Sequence, residues 1–143
     1  MKKGTNLMNI LGEMNGTIAR YEKHASLADL CADVRTAVST LAETTMHFAA
    51  GAKAGKFLAP VANAYPFLML MGKVVMAWLL LWEAGVARGN LDGICAGKGI
   101  DPADVRECNA LAKEDAEAAF YTGKIAGARY FVKHVLPEVD AAV

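Results

Sequence analysis

One apolar stretch constrains the fold of this chain more than any other feature. Residues 57–82 read FLAPVANAYPFLMLMGKVVMAWLLLW and contain one charged side chain, that of Lys73. A helix that spans a bilayer needs about 20 consecutive apolar residues. Here Asn63, Pro66 and Lys73 interrupt the run, and no cluster of Lys or Arg on one side sets an orientation. The stretch therefore favours a central helix buried in a bundle over a membrane span.

Two helices with regular apolar spacing are predicted before this stretch. The first covers residues 5–22, and its apolar face consists of Leu7, Ile10, Leu11, Met14, Ile18 and Tyr21. Ser26 followed by Asp29 resembles a capping box and predicts the start of the second helix. The GAKAG segment, residues 51–55, predicts its end. The apolar face of the second helix consists of Leu30, Cys31, Val34, Val38, Leu41, Thr45 and Phe48.

The apolar stretch itself predicts a long third helix, with Pro66 either in its first turn or as a kink within it. One face of this helix carries Leu68, Met71, Val75, Trp78 and Trp82. The other side is largely small, with Ala77, Ala84 and Ala87. Gly89, Asn90 and Gly93 predict the end of the helix.

A fourth helix is predicted to begin at Asp101 and Pro102, as N-cap and first helical residue, and to end before Pro137. Its predicted inner face consists of Ala112, Ala116, Ala119, Phe120, Gly123, Gly127, Tyr130 and Phe131. Lys133 and His134 suit the negative end of the helix dipole. Together the four segments predict an all-α, up-and-down four-helix bundle with long third and fourth helices, in a single domain over residues 1–143.

The composition limits the partners and the compartment. Fifteen Lys and Arg residues balance fifteen Asp and Glu residues, and no basic run with interleaved aromatic residues occurs, so we expect no nucleic-acid partner. Cys31, Cys95 and Cys108 are widely spaced and form no CxxC pair, which is typical of free thiols in a reducing compartment. The opening residues do not resemble a signal peptide. We therefore expect a cytoplasmic protein without a membrane partner.

Few motifs indicate chemistry. GICAGKG, residues 93–99, invites comparison with a phosphate-binding loop, but its spacing differs from the Walker pattern and it joins two predicted helices. A flexible interhelical loop is the favoured interpretation. His24, His47 and His134 lie on different segments without the Glu-x-x-His repeats of di-iron bundles, although Glu43 and His47 form one i, i+4 pair. The histidines are interpreted as capping or solvated residues.

The other chemically capable residues also favour structural roles. Glu114, Asp115 and Glu117 are interpreted as a solvated acidic stretch. Cys95 lies in the predicted Gly-rich loop and is expected to be the most exposed thiol, without a group that would activate it. Trp78 and Trp82 are interpreted as core or interface anchors. The sequence thus predicts no catalytic, cofactor-binding or metal-binding residue in this chain.

Two segments nevertheless resemble a known family. AYPFLMLMGKVVMAWLLLWEAGVA, residues 64–87, followed by AFYTGKIAGARYFVKHVLP, residues 119–137, resembles the C-terminal helical domain of acyl-CoA dehydrogenase flavoproteins of the methylthiopropionyl-CoA dehydrogenase type. The matching residues are Tyr65, Leu68, Gly72 and Trp78 on the third helix, and Phe120, Tyr121, Lys124, Ala128, Arg129, Phe131, Leu136 and Pro137 on the fourth. The first two helices fit the looser opening part of that domain.

The resemblance implies an accessory role. In that family the FAD contacts, the acyl-CoA pocket and the catalytic glutamate belong to the dehydrogenase body, which would lie upstream of residue 1, so no residue here inherits those roles. The implied function is a C-terminal accessory or oligomerisation domain of an enzyme that oxidises acyl-CoA thioesters, with the dehydrogenase body or a second subunit as its partner. The chain is then either a fragment or a free-standing relative of that domain.

Two alternatives remain open from the sequence. One is a free-standing helical scaffold that homodimerises through its third and fourth helices. The other is a membrane-associated helical protein that uses its third helix.

Overall fold

The structure, a computed structural model, describes residues 5–142. Its α-helices are α1 (Thr5–Tyr21), α2 (Ala28–Lys53), α3 (Leu58–Ala62), α4 (Ala64–Gly97), α5 (Val105–Leu111) and α6 (Ala116–Tyr130). A π-helical turn (Phe131–Val135) and a 3-10 helix (Leu136–Ala142) continue α6. No strand occurs within the described residues, and the predicted all-α class is confirmed. The predicted third helix is α4, with Pro66 in its first turn and the short α3 before it, whereas the predicted fourth helix is divided into α5 and α6.

The main core is formed by α1, α2, one side of α4 and the segment that follows α6. Its largest fully buried side chains are Met14, Ile18, Leu27, Leu30, Val34, Leu41, Leu70, Val74, Leu81, Val132 and Val139. The predicted apolar faces of the first two helices are confirmed, because their central residues all lie in this core. A second, smaller cluster joins the end of α4 to α5 and to the start of α6, and it consists of Leu91, Cys95, Cys108, Leu111 and Ala118.

One side of α4 lies outside the core. The buried side carries Leu70, Val74, Ala77, Leu81 and Ala84, and so includes the small residues noted in the sequence. By length and composition α4 is able to cross a membrane, yet only 22 % of its apolar 18-residue window is buried within the chain. α4 is the central helix of the described fold, since it contacts α1, α2, α5 and α6. The prediction that it is buried is wrong, because its outward side is exposed.

Aspartate side chains cap the N-termini of the last two α-helices. Asp104 caps α5 and Asp115 caps α6, and each carboxylate accepts hydrogen bonds of 3.0 Å from two backbone N–H groups of the first turn. Asp101 lies in the turn before α5, where it accepts a 2.9 Å hydrogen bond from the backbone N–H of Ala103. The prediction of one continuous helix from Asp101 is wrong, because the two caps start separate helices.

Two other helix ends differ from the sequence prediction. Ser26 makes no capping bond to α2, because its Oγ lies 3.0 Å from Nδ1 of His24 instead. α4 continues through Gly93 to Gly97, so most of the GICAGKG segment is helical and not a loop. Gly99 forms the turn that follows with a positive φ of 74°, a conformation that favours glycine.

The inner face of α6 is not the predicted one. The buried side of α6 and of the π-helical turn carries Ala118, Ile125, Ala128 and Val132. Gly123 and Gly127 are exposed, and a Cβ added to either would meet no other atom within 4 Å. The larger aliphatic side chains face the core, whereas Gly123 and Gly127 of the predicted inner face lie on the outward side.

Gly123→Leu is therefore expected to raise the midpoint of thermal unfolding, because leucine is the better helix former by up to about 1 kcal/mol and the site is open. Gly85→Ala, on the buried side of α4, is the control and is expected to change the midpoint of thermal unfolding in the opposite direction. Its added Cβ would overlap the ring of Tyr21, so the ring must move and the midpoint should fall. Circular dichroism melts measure both variants. A lower midpoint for Gly123→Leu would mean that α6 packs through its small residues after all.

Candidate functional site

The outward side of α4 carries a continuous row of large apolar side chains. We call this row the α4 stripe, and its members are Tyr65, Leu68, Met69, Met76, Leu79, Trp82 and Val86. Their exposed fractions range from 42 % at Leu79 to 71 % at Tyr65. At the rise of an α-helix the stripe is about 30 Å long. Single exposed apolar residues are ordinary, whereas a row of this length on one helix is uncommon on the surface of a monomer.

The C-terminal half of the stripe forms one wall of a groove, and α6 forms the other. The groove has a volume of 470 Å³ and is lined by Leu79, Trp82, Glu83, Val86, Ala87, Phe120, Tyr121 and Lys124. Phe120 adds a further exposed ring at 58 % exposure. The Nζ of Lys124 lies 5.4 Å from the centre of that ring and 2.7 Å from a carboxylate oxygen of Glu83. The charged groups of the groove thus neutralise each other.

Two tryptophans join the stripe to the core behind it. Trp78 is half-buried, and its Nε1 donates a 2.8 Å hydrogen bond to Oγ1 of Thr17 on α1. The Trp82 ring stacks beside it with a centroid distance of 6.3 Å and is itself 45 % exposed. Trp78 therefore anchors α4 to α1, whereas Trp82 presents its ring on the outer surface.

Ion pairs fix α6 and the π-helical turn against α2. Arg129 donates to a carboxylate oxygen of Asp29 at 2.6 Å, and Lys133 donates to Asp33 at 2.6 Å. Burial raises the pKa of Asp29, but the hydrogen bonds from Arg129 and Lys133 outweigh it, so that pKa lies below its usual value. The hydrogen bond to Asp33 raises the pKa of Lys133. Lys133 therefore pairs with α2, a role that its predicted place at the helix end did not include.

A buried polar network lies on the far side of α4. The Arg88 side chain is almost fully buried; it contacts Asp92 at 2.5 Å and donates to the backbone carbonyl of Pro102 at 2.6 Å. The other carboxylate oxygen of Asp92 lies 3.1 Å from Nε2 of His24. A cavity of 360 Å³ borders this network. His24 thus pairs with Asp92 across the fold, a contact that its interpretation as a capping or solvated residue did not include, and its side chain remains 39 % exposed.

The other histidines and acidic residues are distributed over the surface. His47 is exposed on α2 beside a 470 Å³ cavity that Glu43 also lines. His134 is exposed, with its ring 5.0 Å from that of Tyr130. Among the side chains of residues 5–139, no three His, Cys, Asp or Glu residues come together as a group that could hold a metal ion. The sequence prediction of no site residues stays a prediction.

Asp115 and Cys95 have environments that the sequence interpretation missed. Asp115 caps α6 and accepts a 2.7 Å hydrogen bond from Lys98, which together with the backbone bonds lowers its pKa. Cys95 is fully buried, not exposed, because α4 extends past the predicted loop. Its Sγ lies 2.9 Å from Sγ of Cys108 on α5. Only the three-dimensional contact between α4 and α5 reveals this pair.

The fold and the surface define an all-α domain with one long helix that is apolar on its outer side. The family described as acetyl-CoA dehydrogenase C-terminal like matches residues 10–143, and the chain belongs to that family. It is an accessory domain of an acyl-CoA dehydrogenase-type protein, and the resemblance drawn from the sequence is confirmed at this level. No curated protein and no solved structure matches the chain.

Proposed function

We propose that this chain docks on the body of an acyl-CoA dehydrogenase-type flavoenzyme through the α4 stripe and acts as its accessory or oligomerisation domain. The exposed stripe is the observation that carries the proposal. The proposed parent enzyme is cytoplasmic and of the methylthiopropionyl-CoA dehydrogenase type. Its FAD and acyl-CoA sites would lie in the dehydrogenase body. Within this domain, α1, α2, α4 and α6 would form an up-and-down bundle that supports the stripe.

The side chains of the groove also suit docking better than catalysis. Dehydrogenation of an acyl-CoA requires a carboxylate base on one side of the substrate and the flavin ring on the other, in a site that excludes water. Glu83 is the carboxylate of the groove, and it is held by Lys124 at 2.7 Å. We propose that the domain shapes the surface of the assembled enzyme and that the body performs the reaction.

The direct test mixes the purified chain with a separately expressed dehydrogenase body from the same genome and measures binding by calorimetry. Leu79→Lys, in the middle of the stripe, is expected to weaken binding at least about tenfold, as loss of a central apolar anchor does. Met46→Lys is the matched control, because Met46 is 66 % exposed on α2 and lies outside the stripe. Equal binding by both variants and the wild-type chain would contradict docking through α4.

The same preparations test the proposed lack of activity. The isolated chain should purify without bound flavin and should not reduce an electron acceptor when acyl-CoA is added. A yellow protein, or acceptor reduction by the chain alone that depends on acyl-CoA, would overturn the accessory role.

A homodimer is the second candidate, and the spacing of the outward residues favours it. Tyr65, Gly72, Leu79 and Val86 recur every seven residues, and Leu68 lies three residues after the first of them. Such a heptad pattern is typical of helices that pair along a seam. Sedimentation velocity of the chain alone would then show a dimer that Leu79→Lys dissociates and Met46→Lys does not. Flotation with liposomes would instead indicate the membrane alternative.

A further inference from the structure

Cys95 and Cys108 are two thiols in contact that the docking proposal does not use. Their sulfur atoms are 2.9 Å apart, and both side chains are buried. This distance is shorter than the roughly 3.5–4 Å at which non-bonded carbon atoms meet. It is longer than the bond of about 2.05 Å in a disulfide. A relative movement of about 1 Å would thus bring the sulfur atoms to bonding distance.

The two cysteines occupy a place where a covalent bond would connect separate elements. Cys95 lies in the last turn of α4, and Cys108 lies in the middle of α5, 13 positions later. The smaller apolar cluster around them is the main contact of α5 with the rest of the chain. Cys31 is buried in the main core instead, so it has a different environment.

We propose that Cys95 and Cys108 are an oxidisable thiol pair whose disulfide fastens α5 to the end of α4. A small-molecule disulfide is the oxidant. A cysteine thiolate first displaces one thiolate from the oxidant and forms a mixed disulfide. The second cysteine thiolate then attacks the protein sulfur of that mixed disulfide and releases the second small thiolate. The protein loses two electrons and two protons, and the oxidant becomes two thiols.

Cys108 is the thiol that reacts first. Cys108 lies on α5, a helix of 7 residues that begins with the exposed Val105. Such a short helix unfolds locally more readily than the 34-residue α4. Burial, followed by the contact with Cys108, raises the pKa of the Cys95 thiol to about 11. Because Cys95 is held in the 34-residue α4, its role is to resolve the mixed disulfide when α5 closes again.

The test treats the folded, reduced wild-type chain with oxidised glutathione, quenches with acid and measures the intact mass. The expected product has lost two hydrogen atoms, and digestion without reductant yields a peptide that joins Cys95 to Cys108. The midpoint of thermal unfolding should rise on oxidation and return after dithiothreitol, because the bond restricts the unfolded chain. These measurements need no substitution, so a variant that fails to fold cannot obscure them.

Three variants assign the roles of the thiols. Cys31→Ala should form the same disulfide as the wild-type chain. Cys95→Ala should retain one glutathione on Cys108, whereas Cys108→Ala should remain unmodified on Cys95. The proposal is overturned if both thiols still react with iodoacetamide after oxidation and denaturation, or if the disulfide includes Cys31. Modification of Cys95 but not Cys108 in the single variants would overturn the assignment of Cys108 as the attacking thiol.

Discussion

Leu81→Ala is expected to lower the free energy of unfolding by about 2–5 kcal/mol, because it leaves a cavity at a fully buried position. Leu79→Ala removes the same atoms from the same helix and is expected to cost about 1 kcal/mol or less, because Leu79 is 42 % exposed. Urea unfolding, analysed by linear extrapolation, measures both changes. The pair tests the orientation of α4 directly. Similar losses at the two positions would mean that the stripe is not an outward face.

Arg88→Met is expected to lower the free energy of unfolding by about 3 kcal/mol, because it removes a buried charge pair and leaves the Asp92 carboxylate with His24 as its remaining partner. The Asp92 side chain is 26 % exposed, so water offsets part of this loss. The carbonyl of Pro102 loses its donor as well. Arg106→Met is the control, because Arg106 is exposed on α5 and should change stability little.

A double variant separates the lost ion pair from lost packing. Arg88→Met combined with Asp92→Leu removes both charges, and it should be more stable than Arg88→Met alone. If the double variant is instead the less stable of the two, the Asp92 carboxylate that has lost Arg88 is not the source of the lower stability. Urea unfolding of the three proteins at neutral pH gives the comparison.

The periodic spacing of apolar residues correctly predicted the buried faces of the regular helices. The apolar spacing of α1 and α2 gave their buried faces, since each is a regular helix with one apolar side. In the last third of the chain two capping aspartates, Asp104 and Asp115, end that regularity. An interruption changes the rotational phase of the helix that follows, by about 100° for each residue added or removed. The outward placement of Gly123 and Gly127 follows from this missed interruption.

The contacts that the sequence analysis missed are between residues far apart in the sequence. His24 and Asp92 are 68 positions apart, and their contact requires the turn before α2 to meet α4. Cys95 and Cys108 meet because α4 runs past its internal glycines and α5 folds back on it. Spacing within one helix carries no information on such contacts. The stripe on α4 was visible as apolar residues, but which of them face outward depends on where α6 packs.

The pairing of every charged side chain of α4 within the chain determines how the stripe would respond to its surroundings. Lys73, Glu83, Arg88 and Asp92 each have a partner of opposite charge in this same chain. Attachment through the stripe would then rest on the release of water from apolar surface, with little long-range attraction to a partner. Such a contact tolerates sodium chloride, strengthens in sulfate and weakens in the cold. An enzyme held together in this way would lose its accessory domain on chilling sooner than on transfer to high salt.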